Sequence, residues 1–202
     1  MSLSGPVDDA ALERAAAAIR RGELVVYPTE TVYGLGADAR RTDAIGRVFD
    51  AKERPADDPI AFAVPTVEEA LDFVVTSDLE RAFMDEFLPG PVTVVLEKRA
   101  TVPDRLTGGR SRVGVRVPDH DGARALLDRV SPVTATSANR SGRPAVRTVD
   151  DLDSSIEAAA AVVLDGGERP GGASTVVDVE SETIHRRGRQ AEAVSRWLTE
   201  RA

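Results

Sequence analysis

Lys52 and Arg54 stand two residues apart in Lys52-Glu53-Arg54-Pro55, bringing a compact ammonium and a planar guanidinium together where a helical pattern ends. Such a pair either sits at the negative end of the helix dipole and does nothing more, or forms part of a clamp on a polyphosphate. Arg112 and Arg116 extend the clamp reading, because residues 112, 114 and 116 share one face of a strand-like run and both guanidiniums can enter one concave surface. Arg110 would face the same way if that strand began early, but its polar neighbours place it in a loop. Three further segments are rich in small and hydroxyl residues: 27–36 (YPTETVYGLG), 134–142 (TATSANRSG) and 171–178 (GGASTVVD). Each can be a turn bonded to its own backbone, or a lining that lets a ligand approach the main chain.

Other chemistries are poorly supplied. Neither the G-x-G-x-x-G spacing nor a phosphate loop ending in Gly-Lys-Ser/Thr is present, so any nucleotide needs another arrangement. His120 and His185 have no ligand-spaced partner and no triad neighbours, and both read as structural. Asp57-Asp58 and Asp150-Asp151 read as solvated turn or cap residues. With no cysteine and two histidines, no set of protein metal ligands is expected.

The elements that must hold these segments alternate irregularly. After a loose start, residues 8–21 carry apolar residues at helical spacing, stopped by Gly22. Residues 23–27 read as a strand, 29–36 as a loop, and helical pattern resumes at Thr42. Residues 59–64 are strand-like. Thr66 and Glu69 predict a capping box on a helix running through Val74, and Asp78 a cap on the next, to Phe87. Residues 92–97 and 113–117 predict strands, and the polar segment 101–112 between them, with its glycine pair, a mobile cover. Helix at 123–130, strand at 133–136, helix at 148–158, buried strands at 161–165 and 175–179, and a helix from Arg189 to the C-terminus complete the order. Some strands lack an intervening helix, which predicts a single α/β domain over 1–202: a twisted open mixed sheet flanked by helices.

Composition narrows the function classes. The formal charge is −8, and only Lys52 and Lys98 are lysines among 26 basic residues. That balance opposes sequence-independent attraction to a nucleic-acid backbone while leaving room for a local basic pocket. The excess of Asp and Glu fits either a salt-adapted source or GC-rich coding with an ordinary acidic surface. No signal-peptide pattern and no membrane-spanning run is present, and the expectation is a cytoplasmic protein with no membrane partner.

In order, YPTETVYGLGADA, KERP with DPI, FLPGPVTVVL, VGVRVPDH, TSANRSG and ASTVVD resemble the YrdC-like family of threonylcarbamoyl-AMP synthases over about residues 10–188. The resemblance implies the short form, without the extra C-terminal domain of longer relatives, and a large concave site for ATP and L-threonine. Carried over by position, Lys52 and Arg54 would be catalytic. Lys52, Arg54, Asp58, Arg112, Arg116, Ser137, Asn139 and Arg186 would surround ATP, and Thr31, Ala135, Ser174 and Thr175 would surround threonine. Asp58 stands where many members have asparagine, Ala63 where many have histidine and Ala173 where many have glutamate. The implied reaction joins L-threonine, bicarbonate and ATP, with Mg²⁺ arriving on the ATP, and releases pyrophosphate. The product would pass to a transferase that modifies tRNA, without direct tRNA binding being required. Two alternatives stay open: a diverged nucleotide binder without the reaction, and an RNA-binding module of the same fold, which acidic charge and few aromatics disfavour.

Overall fold

The computed structural model describes residues 7–201; most of the start expected to be loose and the last residue of the helix expected to run to the C-terminus lie outside the described residues. Among the described residues ten strands form one mixed sheet: β1 (Leu24–Pro28), β2 (Tyr33–Gly36), β3 (Ala61–Ala63), β4 (Val74–Val75), β5 (Val92–Lys98), β6 (Arg112–Arg116), β7 (Val133–Ser137), β8 (Ala160–Val163), β9 (Thr175–Asp178) and β10 (Thr183–Arg186). Their order is β10-β9-β5-β6-β3-β7-β2-β1-β8, with β4 pairing β5 off that path. The pairs β1/β8, β3/β6 and β5/β9 are parallel and the rest antiparallel.

The helices are α1 (Asp9–Arg20), α2 (Thr42–Lys52), α3 (Val67–Ala70), α4 (Asp78–Phe87), α5 (Asp104–Thr107), α6 (Asp121–Leu127), α7 (Ser154–Ala159) and α8 (Ala191–Arg201). Helices α2, α4 and α8 bury Val48, Phe49, Phe83, Met84, Trp197 and Leu198 against one face of the sheet, in the larger core. Phe83 meets Trp197 edge-on at 4.9 Å between ring centres, a favoured geometry for aromatic pairs. On the other face α1 and α6 pack Leu12, Ala15, Ile19, Leu126 and Leu127 over Val25, Tyr27, Ala63 and Val133. That second core stops short of β5, β6 and β9. Val113 and Val115 point into the large core while Arg112, Gly114 and Arg116 point away from it into an open cavity, as the two-residue period of a strand dictates.

Several local readings need correction. Residues 33–36 are a strand hairpinned to β1, not loop: Tyr27 pairs Gly34, and a Cβ at Gly34 or Gly36 would come within 3.0 Å of the Tyr27 ring. The glycines therefore make room for an aromatic ring, not for a turn. Segment 101–112 is no loose cover, because it contains α5, Leu106 is buried, and Ile60 N–H donates to the Leu106 carbonyl at 2.9 Å. Thr66 caps a helix of only four residues, and the complete capping box is Ser77 with Glu80, one residue before the expected Asp78. The helix expected over 148–158 divides into a single 3-10 turn, Val149–Asp151, and α7. Strand β8 lies at the sheet edge, only partly buried, and β10 was not expected.

Candidate active site

The face of β5, β6, β3 and β9 that the helices leave bare is the floor of a cavity of about 700 Å³, within the size range of small-molecule sites. Thr93 and Val95, Gly114, Ala61 and Ala135 make this floor. A Cβ at Gly114 would stand 2.9 Å from that of Ala61 and 3.0 Å from Thr93 Cγ2, so glycine keeps the floor low. Six arginines line the cavity, Arg54, Arg110, Arg112, Arg116, Arg143 and Arg186, against two aspartates, Asp58 and Asp178. Three of the six are ion-paired, Arg54 with Asp58, Arg116 with Glu30, and Arg112 with Glu80, Asp178 and Glu180. That leaves Arg110, Arg143 and Arg186 without a carboxylate partner among the described residues, and an acidic chain thus places its excess positive charge in one concavity, where anions are attracted most strongly.

Each cation is held by a different element. Arg54 follows the left-handed Glu53 (φ 49°) that ends α2, and donates to the carbonyls of Asp58 (3.1 Å) and Pro59 (2.9 Å) while pairing with the Asp58 carboxylate at 2.9 Å. Arg116 donates to Glu30 Oε1 at 2.6 Å and Thr31 Oγ1 at 3.0 Å. Arg116 Nε, Glu30 Oε2 and Asn139 Oδ1 are buried without a partner among the described residues, which marks atoms that a ligand or water would satisfy. Arg186 donates to Ser174 at 3.0 Å (carbonyl) and 2.7 Å (Oγ), and Ser174 Oγ is 2.9 Å from Thr93 Oγ1. Burial, then the guanidiniums of Arg116 and Arg54, hold Arg186 below its ordinary pKa. The three positive charges act on one another, and a polyanion placed among them would relieve that repulsion.

Of the predicted site residues, Thr31, Arg54, Asp58, Arg112, Arg116, Ala135, Ser137, Asn139, Ser174 and Arg186 all line the cavity. Lys52 and Thr175 do not. Lys52 is 1% exposed, and its Nζ donates to the carbonyls of Ser137 and, at 2.5 Å, Asn139. It supports the loop from below because it is the last residue of α2, whose buried face turns it inward. Burial first, then Arg54, pulls its pKa down to about 8. Thr175 is fully buried and accepts from the Gln190 N–H at 3.1 Å, anchoring the chain ahead of α8. Arg112 lines the cavity, but its guanidinium is tied to Glu80 (3.1 Å), Asp178 (2.9 Å), Glu180 and the Val95 carbonyl (2.9 Å). Of the two histidines read as structural, His120 accepts from Ala123 N–H through Nδ1 at 3.2 Å, and His185 lines the cavity. Thr93 and Arg143 also line it and were missed. The signal for Thr93 was a lone hydroxyl two places from Val95, on the face opposite Val92 and Val94.

A family model for Sua5, YciO and YrdC, described as "Telomere recombination", matches residues 17–188. The chain belongs to this family. Over 169 residues it is 42% identical to the threonylcarbamoyl-AMP synthase of Pyrococcus abyssi, which covers 82% of this chain and 49% of that protein. The Bacillus subtilis threonylcarbamoyl-AMP synthase is 35% identical over 180 residues, 88% of this chain and 50% of the relative. A crystal structure of P. abyssi Sua5 complexed with L-threonine has a TM-score of 0.80 at 39% identity, over 86% of this chain and 52% of that one. The chain spans about half the length of these relatives. The YrdC-like resemblance and the mixed α/β sheet read from the sequence are therefore sound. The three departures from the family pattern separate in space: Asp58 and Ala173 line the cavity, whereas Ala63 is buried in β3 between the second core and its strand neighbours Val133 and Arg116.

Proposed function

We propose that this chain is an L-threonylcarbamoyladenylate synthase, joining L-threonine, bicarbonate and ATP with release of pyrophosphate and water. The observation that carries this reading is the convergence of Arg54, Arg116 and Arg186 with the hydroxyls of Thr31, Ser137 and Ser174 in one cavity of an otherwise acidic protein; the names of its closely similar relatives supply the reaction. In this reading Arg54, Asp58, Ser137, Asn139 and Arg186 surround ATP, while Thr31, Ala135 and Ser174 surround threonine with Arg116 at their boundary. Arg112 contributes charge to the ATP side from within its carboxylate cage.

The threonine amine and bicarbonate give a carbamate with loss of water. A carbamate oxygen then attacks the α-phosphorus, and the bond to the β-phosphate oxygen breaks. The protein's task is to hold these groups in line and to neutralise charge gathering on the phosphates. In this reading Arg54 and Arg186 serve the second part, and the Thr29–Thr31 turn, in which Thr29 Oγ1 donates to the Val32 carbonyl at 2.6 Å, serves the first. Lys52 acts through the backbone of Ser137 and Asn139. Among the described residues no group of acids and histidines is gathered to hold a metal, and both cavity aspartates are paired with arginine. Mg²⁺ would accordingly arrive on the ATP phosphates, where it adds charge neutralisation. No described helix is long and apolar enough to cross a membrane, and a cytoplasmic enzyme handing its labile product to a tRNA-modifying transferase fits the reading.

The test is pyrophosphate release by purified protein with ATP, Mg²⁺ and bicarbonate, with and without L-threonine, at low and high salt. Release that requires threonine, with a product of threonylcarbamoyl-AMP mass, is expected. A folded protein that binds ATP yet releases no threonine-dependent pyrophosphate at any salt would overturn the synthase reading.

A further inference from the structure

Most arginines of this chain are paired with a carboxylate or a backbone carbonyl, but Arg110 and Arg143 line the cavity with guanidiniums that have no hydrogen-bond or ion-pair partner among the described residues. Their backbones are fixed nonetheless, and by the same device. The buried Thr107 donates its hydroxyl to the Arg110 carbonyl at 2.8 Å, and the buried Asn139 donates its amide to the Arg143 carbonyl at 2.8 Å. Each arginine directly follows a left-handed glycine, Gly109 (φ 80°) and Gly142 (φ 78°), that turns the chain beside it.

The sheet register places the two with respect to Arg54. Phe62 of β3 pairs with Val115 of β6 in parallel and with Thr134 of β7 antiparallel. Stepping along those ladders brings Pro59, Arg112 and Ser137 to the same end of the sheet. Arg110 therefore leaves β6, and Arg143 follows β7, at the end where Arg54 is bonded to Asp58 and Pro59. One stands to each side of the central strand, across two strand spacings of about 4.8 Å each.

We infer that Arg110 and Arg143 are binding residues for the outer phosphates of the nucleotide substrate and for the pyrophosphate it releases, gripping the chain from both sides of Arg54. The inference rests on the nucleotide part of the proposed function, not on threonine or on turnover. Unpaired guanidiniums with pinned backbones bind a polyanion without first breaking an ion pair and with little ordering of main chain. Arg112, at the same end, would have to leave three carboxylates to do the same work.

The probe is inorganic tripolyphosphate, titrated calorimetrically into the full chain, with AMP and L-threonine as companion ligands. The variants are Arg110→Ala, Arg143→Ala and the double variant; both side chains are exposed, so the fold should survive, as circular dichroism would verify. Each single variant should weaken tripolyphosphate about tenfold, the usual scale for one charge-assisted contact, and the double variant more, with AMP and L-threonine affinity within about twofold of the parent. Unchanged tripolyphosphate affinity in the folded double variant, no measurable tripolyphosphate binding by the parent, or an equal loss for AMP would each overturn the inference. Arginine-dependent tripolyphosphate binding in a protein without threonine-dependent pyrophosphate release would keep it and overturn the synthase reading.

Discussion

Single residues divide here between those that face the ligand and those that hold the facing ones in place. Arg54 is of the first kind: Arg54→Ala should leave the fold intact and weaken ATP binding about ten- to a hundredfold, as loss of a charged hydrogen-bonding group does, and a folded variant with parental affinity in a titration would remove Arg54 from the site. Lys52 is of the second kind, and pH exposes it. Its pKa of about 8 in the folded chain lies below the ordinary lysine value of 10.5. Between those values the unfolded chain holds a proton that the folded chain has lost, so stability rises with pH through this window and the gain is absent below pH 8. Urea unfolding from pH 7 to 10 should show this rise, amounting to on the order of 3 kcal/mol at full titration, and Lys52→Met should lack it. Work above pH 10 is best avoided, because burial pushes Tyr27 up to about 12 and so costs stability there. Lys52 and Arg54 were legible in the sequence as a cationic pair, but their roles were not. Two residues apart at a helix end, one turned into the protein and the other out of it, and nothing in residue type tells which.

At the scale of elements the strands with apolar alternation were legible and the glycine-bearing ones were not. Gly34 and Gly36 read as loop glycines because the Tyr27 ring that occupies their missing side chains belongs to another strand. Strand β10 was missed because it lies at the sheet edge, largely exposed, with a single half-buried apolar residue, Ile184, and shows no core-facing pattern. Its hairpin to β9 carries Glu182 in the left-handed region at φ 51°. A side chain there costs about 1–2 kcal/mol, partly offset by the greater backbone freedom that glycine loses on folding. Glu182→Gly should therefore raise stability by about 0.5–1 kcal/mol, read as a shift of the urea midpoint at constant slope. An unchanged or lowered midpoint would mean the turn carries no strain.

For the whole molecule, net charge and site charge point opposite ways, and only the first is visible in a count of residues. Segments 27–36, 52–55, 134–142 and 171–178 each had an innocent reading as turn or helix end when taken alone. Their meaning comes from the strand order, which sets β9 beside β5 and β7 between β3 and β2, and from two helices that cover only part of one sheet face. A cavity formed by what is not covered leaves no local trace in the sequence.

The same strand order sets a timetable for synthesis. Leu24 of β1 pairs with Ala160 of β8, and Val92 of β5 with Thr175 of β9. At about 5–20 residues per second on the ribosome, β1 spends on the order of ten seconds with one edge unpaired before β8 is made. During that interval its apolar run Leu24–Pro28 is a template for any other extended chain nearby, so the newborn protein is exposed to mispairing before its cavity can exist.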